Sequence, residues 1–151
     1  YRADITAQLA AKKLPKDLLA IPLLESRYQP LEASKHKPNV AGIWQLSAAT
    51  ARHYGLEINN RIDERLKTKD ATSAALDYLG EQHSRFNNWS LAIISYDAGT
   101  RRTQELIQAA KSNNPWKMIA GNNVLQEIKQ YLPMVDASII IMHNPDLIGQ
   151  L

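Results

Sequence analysis

Leu18-Leu19-Ala20-Ile21-Pro22-Leu23-Leu24-Glu25-Ser26 is the stretch on which the fold turns. An apolar run that ends in a carboxylate reads as a buried helix whose last turn carries Glu25. Taking a charge out of water costs several kcal/mol, about the size of a large pKa shift, so a carboxylate in that setting needs a reason. One reason is chemical: an apolar surrounding keeps the carboxyl protonated near neutral pH, fit to act as a general acid. The other is plain: Glu25 ends the helix in water and pairs with Arg27. On this stretch alone the plain reading is the stronger, and residues further along reverse it.

Outward from this helix the pattern stays helical. Residues 3–12 predict a short first helix, and Pro15 suits the first turn of the second, which runs to Glu25 or Ser26 with a kink at Pro22. Residues 28–42 hold Pro30, Pro38, Asn39 and Gly42 without periodicity and predict a long irregular loop. Loops of that length are commonly functional or disordered. Since Ile43, Trp44 and Leu46 follow at once, an ordered, functional loop is expected, with a small ribbon over 40–46.

Ser47 predicts a cap for a helix ending near Gly55, and Thr68 or Asp70 a cap for the next, where Ala71, Ala74, Ala75, Tyr78 and Leu79 recur at helical spacing. Ser90 is expected to cap Leu91–Ala98. Thr100–Lys111 forms another helix, Pro115-Trp116 starts a short one, and Val124–Met142 is a long helix interrupted at Pro133, before a terminal loop from Asn144. No repeat, low-complexity segment or domain boundary stands out. The expectation is one mainly α domain spanning 1–151.

The composition excludes several functions. Of the 151 residues, 44% are hydrophobic and 22% charged, as in ordinary globular domains. The apolar runs are far shorter than the ~20 residues of a membrane span. Cysteine is absent, which removes disulfides, thiol chemistry and most structural zinc sites. His36, His53, His83 and His143 are scattered without metal-ligand spacing, so no metal and no cofactor is expected. A net charge of +3 suits an anionic polymer but is too small to argue for nucleic acid. The chain opens at Tyr1 with no basic or apolar leader, which is expected of a domain excised or processed from a longer exported protein.

Four short elements carry chemistry together: Glu25-Ser26; Ser34 with Ala41-Gly42-Ile43-Trp44-Gln45; Ser95-Tyr96-Asp97-Ala98-Gly99; and Gln126-Glu127 to Tyr131-Leu132-Pro133. In this order and at these separations they resemble the lysozyme-like lytic transglycosylases, in the branch of membrane-bound lytic transglycosylase D. Tyr54-Gly55-Leu56, Asp63-Glu64-Arg65 and Trp89 with Leu91-Ala92-Ile93 agree with it too, so the resemblance runs from Leu14-Pro15 to Asn144-Pro145. It implies a goose-type lysozyme-like helical domain with a small irregular loop or ribbon beside the active-site cleft. The implied reaction cleaves the bond between N-acetylmuramic acid and N-acetylglucosamine in peptidoglycan strands. The implied location is the periplasm or cell envelope, and a monomer is the default.

The resemblance gives Glu25 the role of lone acid and base, with the substrate's N-acetyl group assisting, so that a second protein carboxylate is not required. Ser34 is implied to hydrogen-bond near that carboxyl; without the resemblance it is a loop serine. Gly42 would let a sugar approach the backbone, and Gln45 would offer an amide donor and acceptor. Trp44 reads equally as core wall or sugar platform. Tyr96 and Tyr131 are implied to line the cleft, or else are core aromatics. The family pattern has Asn where this chain has Asp97, exchanging a donor for an acceptor or a charge. A harmless helix-end residue is the first reading of Asp97, an altered subsite the second, and a second carboxylate favouring hydrolysis the third. A lysozyme-like hydrolase and a degenerate peptidoglycan-binding module stand as the alternatives to a transglycosylase.

Overall fold

The computed structural model describes residues 1–34 and 38–147. The chain is mainly α-helical, with one two-stranded ribbon, and forms two compact units: Tyr1–Tyr78 with Ser138–Leu151, and Leu79–Ala137. No helix among the described residues is long and apolar enough to cross a membrane.

In the first unit, α1 (Arg2–Ala11) buries Ile5 and Leu9, one helical turn apart on one face. The predicted second helix is two pieces, a 3₁₀ turn at Lys16–Leu19 and then α2 (Ala20–Ser26). Pro22 does not kink a continuous helix: it sits in the first turn of α2, where a missing N–H does least harm. Leu18, Leu19, Ala20 and Ile21 are buried, as the apolar run requires.

The ribbon pairs β1 (Val40–Ala41) antiparallel to β2 (Leu46–Ser47), with Val40 opposite Ser47 and Ala41 opposite Leu46. Ser47 then caps α3 (Ala48–His53), its hydroxyl accepting from the Thr50 N–H at 3.0 Å. The chain continues through a loop and a 3₁₀ turn at Glu64–Leu66 into α4 (Thr68–Phe86). Thr68 and Asp70 both lie inside the first turn of α4 rather than capping it from outside. Asp70 there complements the positive end of the helix.

The second unit takes the rest of α4, then α5 (Trp89–Ala98), α6 (Thr100–Ala110), α7 (Pro115–Ile119) and most of α8 (Gln126–His143). Asn88, not Ser90, caps α5: its side-chain oxygen accepts from the Leu91 N–H at 3.1 Å, which places Ser90 within the first turn. Gly99 is the sole residue between α5 and α6, at φ 82° and ψ 152°, a conformation open to glycine and almost nothing else. Asn114 caps α7, with Pro115 at its first position. Helix α8 runs through Pro133 without interruption. Pro133 lies on the exposed face, where water can take the place of the helical hydrogen bond that proline cannot make.

The core of this unit is aliphatic, with Leu91, Ile94, Leu106, Met118, Ile128, Leu132 and Val135 buried, and it encloses one polar node. The Gln82 side-chain oxygen accepts from the Ser95 hydroxyl at 2.9 Å and from the Thr100 hydroxyl at 2.8 Å. Three helices thereby share one acceptor. Buried hydrogen bonds of this kind fix register in a way that aliphatic packing does not.

Candidate active site

Glu25 occupies the last turn of α2, half-buried, and the chain leaves the helix immediately behind it in an unusual way. Arg27 and Tyr28 are both left-handed, at φ 54° and 60°. For residues other than glycine that conformation costs roughly 1–2 kcal/mol each, so the surroundings must hold it. They do: the Arg27 N–H donates to the Leu23 carbonyl, the Tyr28 N–H to the Pro22 carbonyl, and the Tyr28 hydroxyl to the Leu19 carbonyl at 2.9 Å. Burial pushes the Tyr28 phenol above its ordinary value.

Ser26 links this helix end to the ribbon. Its buried hydroxyl donates to the Ile43 carbonyl at 2.7 Å, with the Pro22 carbonyl a longer partner at 3.2 Å. Ile43 belongs to the turn Gly42-Ile43-Trp44-Gln45, which joins β1 to β2. The Gly42 carbonyl accepts both the Gln45 N–H at 3.2 Å and the Gln45 side-chain amide at 2.8 Å. Gln45 is itself left-handed at φ 48°, and its side-chain bond offsets that strain. Leu31, ahead of the ribbon, is tied to it as well, because the Gly42 N–H donates to the Leu31 carbonyl at 2.7 Å. Trp44, read from sequence as either wall or platform, is fully buried and donates its indole N–H to the Thr72 hydroxyl at 2.9 Å. It is a core residue.

The structure gives Gly42 a reason of its own. At φ +80°, a Cβ placed there would stand 1.9 Å from the Arg65 carbonyl oxygen. The close approach that glycine permits is therefore to protein backbone. Arg65 is 5% exposed and grips the ribbon with its side chain too. One guanidinium nitrogen donates to the Asn39 and Leu46 carbonyls, both at 3.1 Å, while the others form a two-point pair with Asp63 at 2.9 and 2.6 Å. That pairing, chiefly the side-chain hydrogen bond from Arg65, holds the Asp63 carboxyl below its ordinary value. Asp63 also accepts from the Arg65 N–H, and Glu64 from the Glu57 N–H, so Asp63-Glu64-Arg65 makes both caps and ion pairs.

Of the residues singled out in the sequence, Glu25, Ser34, Gly42 and Gln45 belong to the first unit and Tyr96, Asp97 and Tyr131 to the second. The Ser26–Ile43 bond brings the helix of Glu25 to the turn of Gly42 and Gln45. Ser34 lies exposed in the irregular segment. Tyr96 is half-buried and Asp97 exposed, side by side near the end of α5, while Tyr131 on α8 is 7% exposed. What the sequence did not reveal is the linking set: Ser26 as a tie, Arg65 as a grip and Gln82 as a buried acceptor. The Asp-x-Arg spacing of 63 and 65 was the one visible hint.

Among the described residues the histidines form no site. His53 meets Tyr54 edge-on, His83 stacks on Trp89 with ring centres 4.0 Å apart, and His143 pairs with Asp17. His36 lies outside the described residues. Among the described residues no group of three or more His, Cys, Asp or Glu side chains could hold a metal ion.

Comparison with known proteins gives a consistent picture. The model of the transglycosylase SLT domain matches residues 4–119. Membrane-bound lytic murein transglycosylase D of Escherichia coli K12 is 30% identical over 150 residues, covering 99% of this chain and 33% of that protein. A putative tributyltin chloride resistance protein of Alteromonas sp. strain M-1 is 33% identical over 117 residues, 76% of this chain and 56% of that protein. The chain thus spans about a third of the length of the first relative and a little over half of the second.

Proposed function

From the premise that the chain belongs to the transglycosylase SLT domain family, we propose that it is the catalytic domain of a peptidoglycan lytic transglycosylase. Its substrate is the glycan strand of the cell wall, and the bond broken is that from N-acetylmuramic acid to N-acetylglucosamine. The Ser26–Ile43 hydrogen bond carries the reading, because it seats the helix end bearing Glu25 against the Gly42–Gln45 turn.

In the proposed mechanism the Glu25 carboxyl protonates the glycosidic oxygen as an oxocarbenium-like centre develops at C1. The carboxylate so formed then takes the proton of the muramic acid 6-hydroxyl, whose oxygen closes on C1. The bond to the leaving sugar breaks, a 1,6-anhydro ring forms, and Glu25 ends the cycle protonated with no water consumed. The substrate's acetamido oxygen supplies the stabilisation that a second carboxylate gives other glycosidases. Gln45 keeps a second amide hydrogen and an oxygen for sugar hydroxyl or acetamido groups, beyond the bond it spends on Gly42. Ser34 contributes a hydroxyl near the carboxyl, Gly42 the close packing on the Arg65 carbonyl that seats the turn, and Tyr96 and Tyr131 phenols for the acetamido groups. The reading places the whole chain in one catalytic domain of an exported, envelope-located, monomeric protein.

Digestion of purified sacculi with mass analysis of the released muropeptides tests this. The parent is expected to give 1,6-anhydro ends. Glu25→Gln, unable to deliver a proton, is expected to lose about 10²–10⁴-fold in rate. Full activity in Glu25→Gln overturns the assignment. Reducing ends in place of anhydro ends assign the chain to hydrolysis, with Asp97 the first residue to revert to Asn. Binding to sacculi without cleavage assigns it to a binding module.

A further inference from the structure

We propose that Arg65 is a positioning residue for this reaction, holding the ribbon and its Gly42–Gln45 turn in register with the helix end that carries Glu25. The inference rests on the reading of Glu25 as the acid and base. Arg65 touches the ribbon in three places. Its guanidinium meets the carbonyl of Asn39, just before β1, and that of Leu46, in β2, so it spans both strands. Its own carbonyl lies under the Gly42 Cα, where no side chain fits. The turn held in this way presents the Ile43 carbonyl to Ser26, the residue next to Glu25. From Asp63 to Glu25 the path is one ion pair, one guanidinium on two carbonyls, one turn and one serine bond.

General physics favours a positional role over one in stability alone. Replacing a buried ion pair by apolar residues of similar volume is often neutral or stabilising. An apolar side chain, however, cannot hold two carbonyls at set positions. Lysine fails for another reason: its compact ammonium lacks the planar fork that lets Arg65 serve Asp63 from one edge and two carbonyls from the other. Asp63 completes the device by orienting the fork, through bonds at 2.9 and 2.6 Å. Displacement of a reacting group by about 1 Å costs on the order of 10²-fold in rate. A slack ribbon therefore shows in turnover before it shows in folding.

The test compares the parent with Arg65→Lys and Asp63→Asn, each assayed on soluble glycan strands well below its melting temperature. The expectation is a fall in kcat of about 10- to 100-fold for Arg65→Lys and less for Asp63→Asn, with KM changed little. Amide hydrogen exchange over residues 40–47 is expected to speed up in both, a readout that needs no activity. Unchanged kcat per folded molecule, or unchanged exchange, overturns the proposal; a loss confined to thermal stability does so as well. If Arg65→Lys does not fold, Asp63→Asn carries the same two measurements. A parent that releases nothing from the wall overturns the reading of Glu25 and this inference together. That result is distinct from an active parent with an equally active variant, which overturns the inference alone.

Discussion

Gly42→Ala is the perturbation that questions the ribbon most directly, and Gly55→Ala is its control. Both glycines are left-handed, at φ +80° and +86°, so both substitutions force alanine into that region. The penalty for that alone is about 1–2 kcal/mol. At Gly55 the new methyl meets nothing within 4 Å. At Gly42 it meets the Arg65 carbonyl oxygen at 1.9 Å and the carbonyl carbon at 2.8 Å, and a backbone atom cannot rotate aside as a side-chain tip can. Overpacking of this kind adds roughly 1–3 kcal/mol. The total for Gly42→Ala is then about 2–5 kcal/mol. A domain of this size loses about 2–4 °C of melting temperature per kcal/mol, so Gly42→Ala should melt roughly 4–20 °C below the parent and clearly below Gly55→Ala. Urea melts with equal slopes would confirm that the folded state bears the change. If the two alanine variants melted within about 2 °C of one another, a shift too small for the added contact, the account of Arg65 as a floor beneath the turn would be refuted.

Three further expectations concern other parts of the chain. Asn88→Ala should cost about 1 kcal/mol as a lost cap, and Ser90→Ala a few tenths; the reverse order in thermal melts would restore Ser90 as the cap. Ser95→Ala removes one of the two hydroxyls donated to Gln82 and should cost about 1 kcal/mol. Combining it with Thr100→Val should cost more than the sum of the two, since the buried oxygen then loses both donors, and strict additivity would argue against a shared node. Asp63 titrates below the ordinary aspartate value of 3.8 in the folded state. Its contribution is therefore in full force near neutrality and fades as pH falls through 3.8 and below. Glu64 is lowered too and acts in the same sense, whereas Asp136, raised by burial, acts against them. Melts of the parent and Asp63→Asn should accordingly converge as pH drops toward 3, and a difference that stayed constant from pH 7 to 3 would rule Asp63 out as the group concerned.

The helices were legible because period and punctuation agree: Leu18 to Pro22 bury as an apolar run should, and Ser47 caps where it was expected to. The small discrepancies share a local origin. Two residues competed for the cap of α5, and both Asn88 and Ser90 have the side chain for it; only the backbone at Asn88, extended at φ −156°, presents its oxygen to the helix. Pro133 did not break α8, because its face of the helix is exposed, and exposure is a tertiary property. At the site, Glu25 and the Gly-Ile-Trp-Gln turn stood out as residue types in an order. The means of holding them did not. Arg65 reaches carbonyls 19 and 26 residues away in sequence, and carbonyls look alike at every position.

Anyone selecting this chain for heat resistance will find position 27 inviting. Glycine there would lift a left-handed arginine out of strain on a surface with nothing to lose. Yet the bend at Arg27 and Tyr28 sets the direction in which the chain departs directly behind Glu25, and a more pliant joint would let that helix end wander. On the proposed role of Glu25, robustness and turnover are set in opposition at a single residue, and selection for one alone would erode the other.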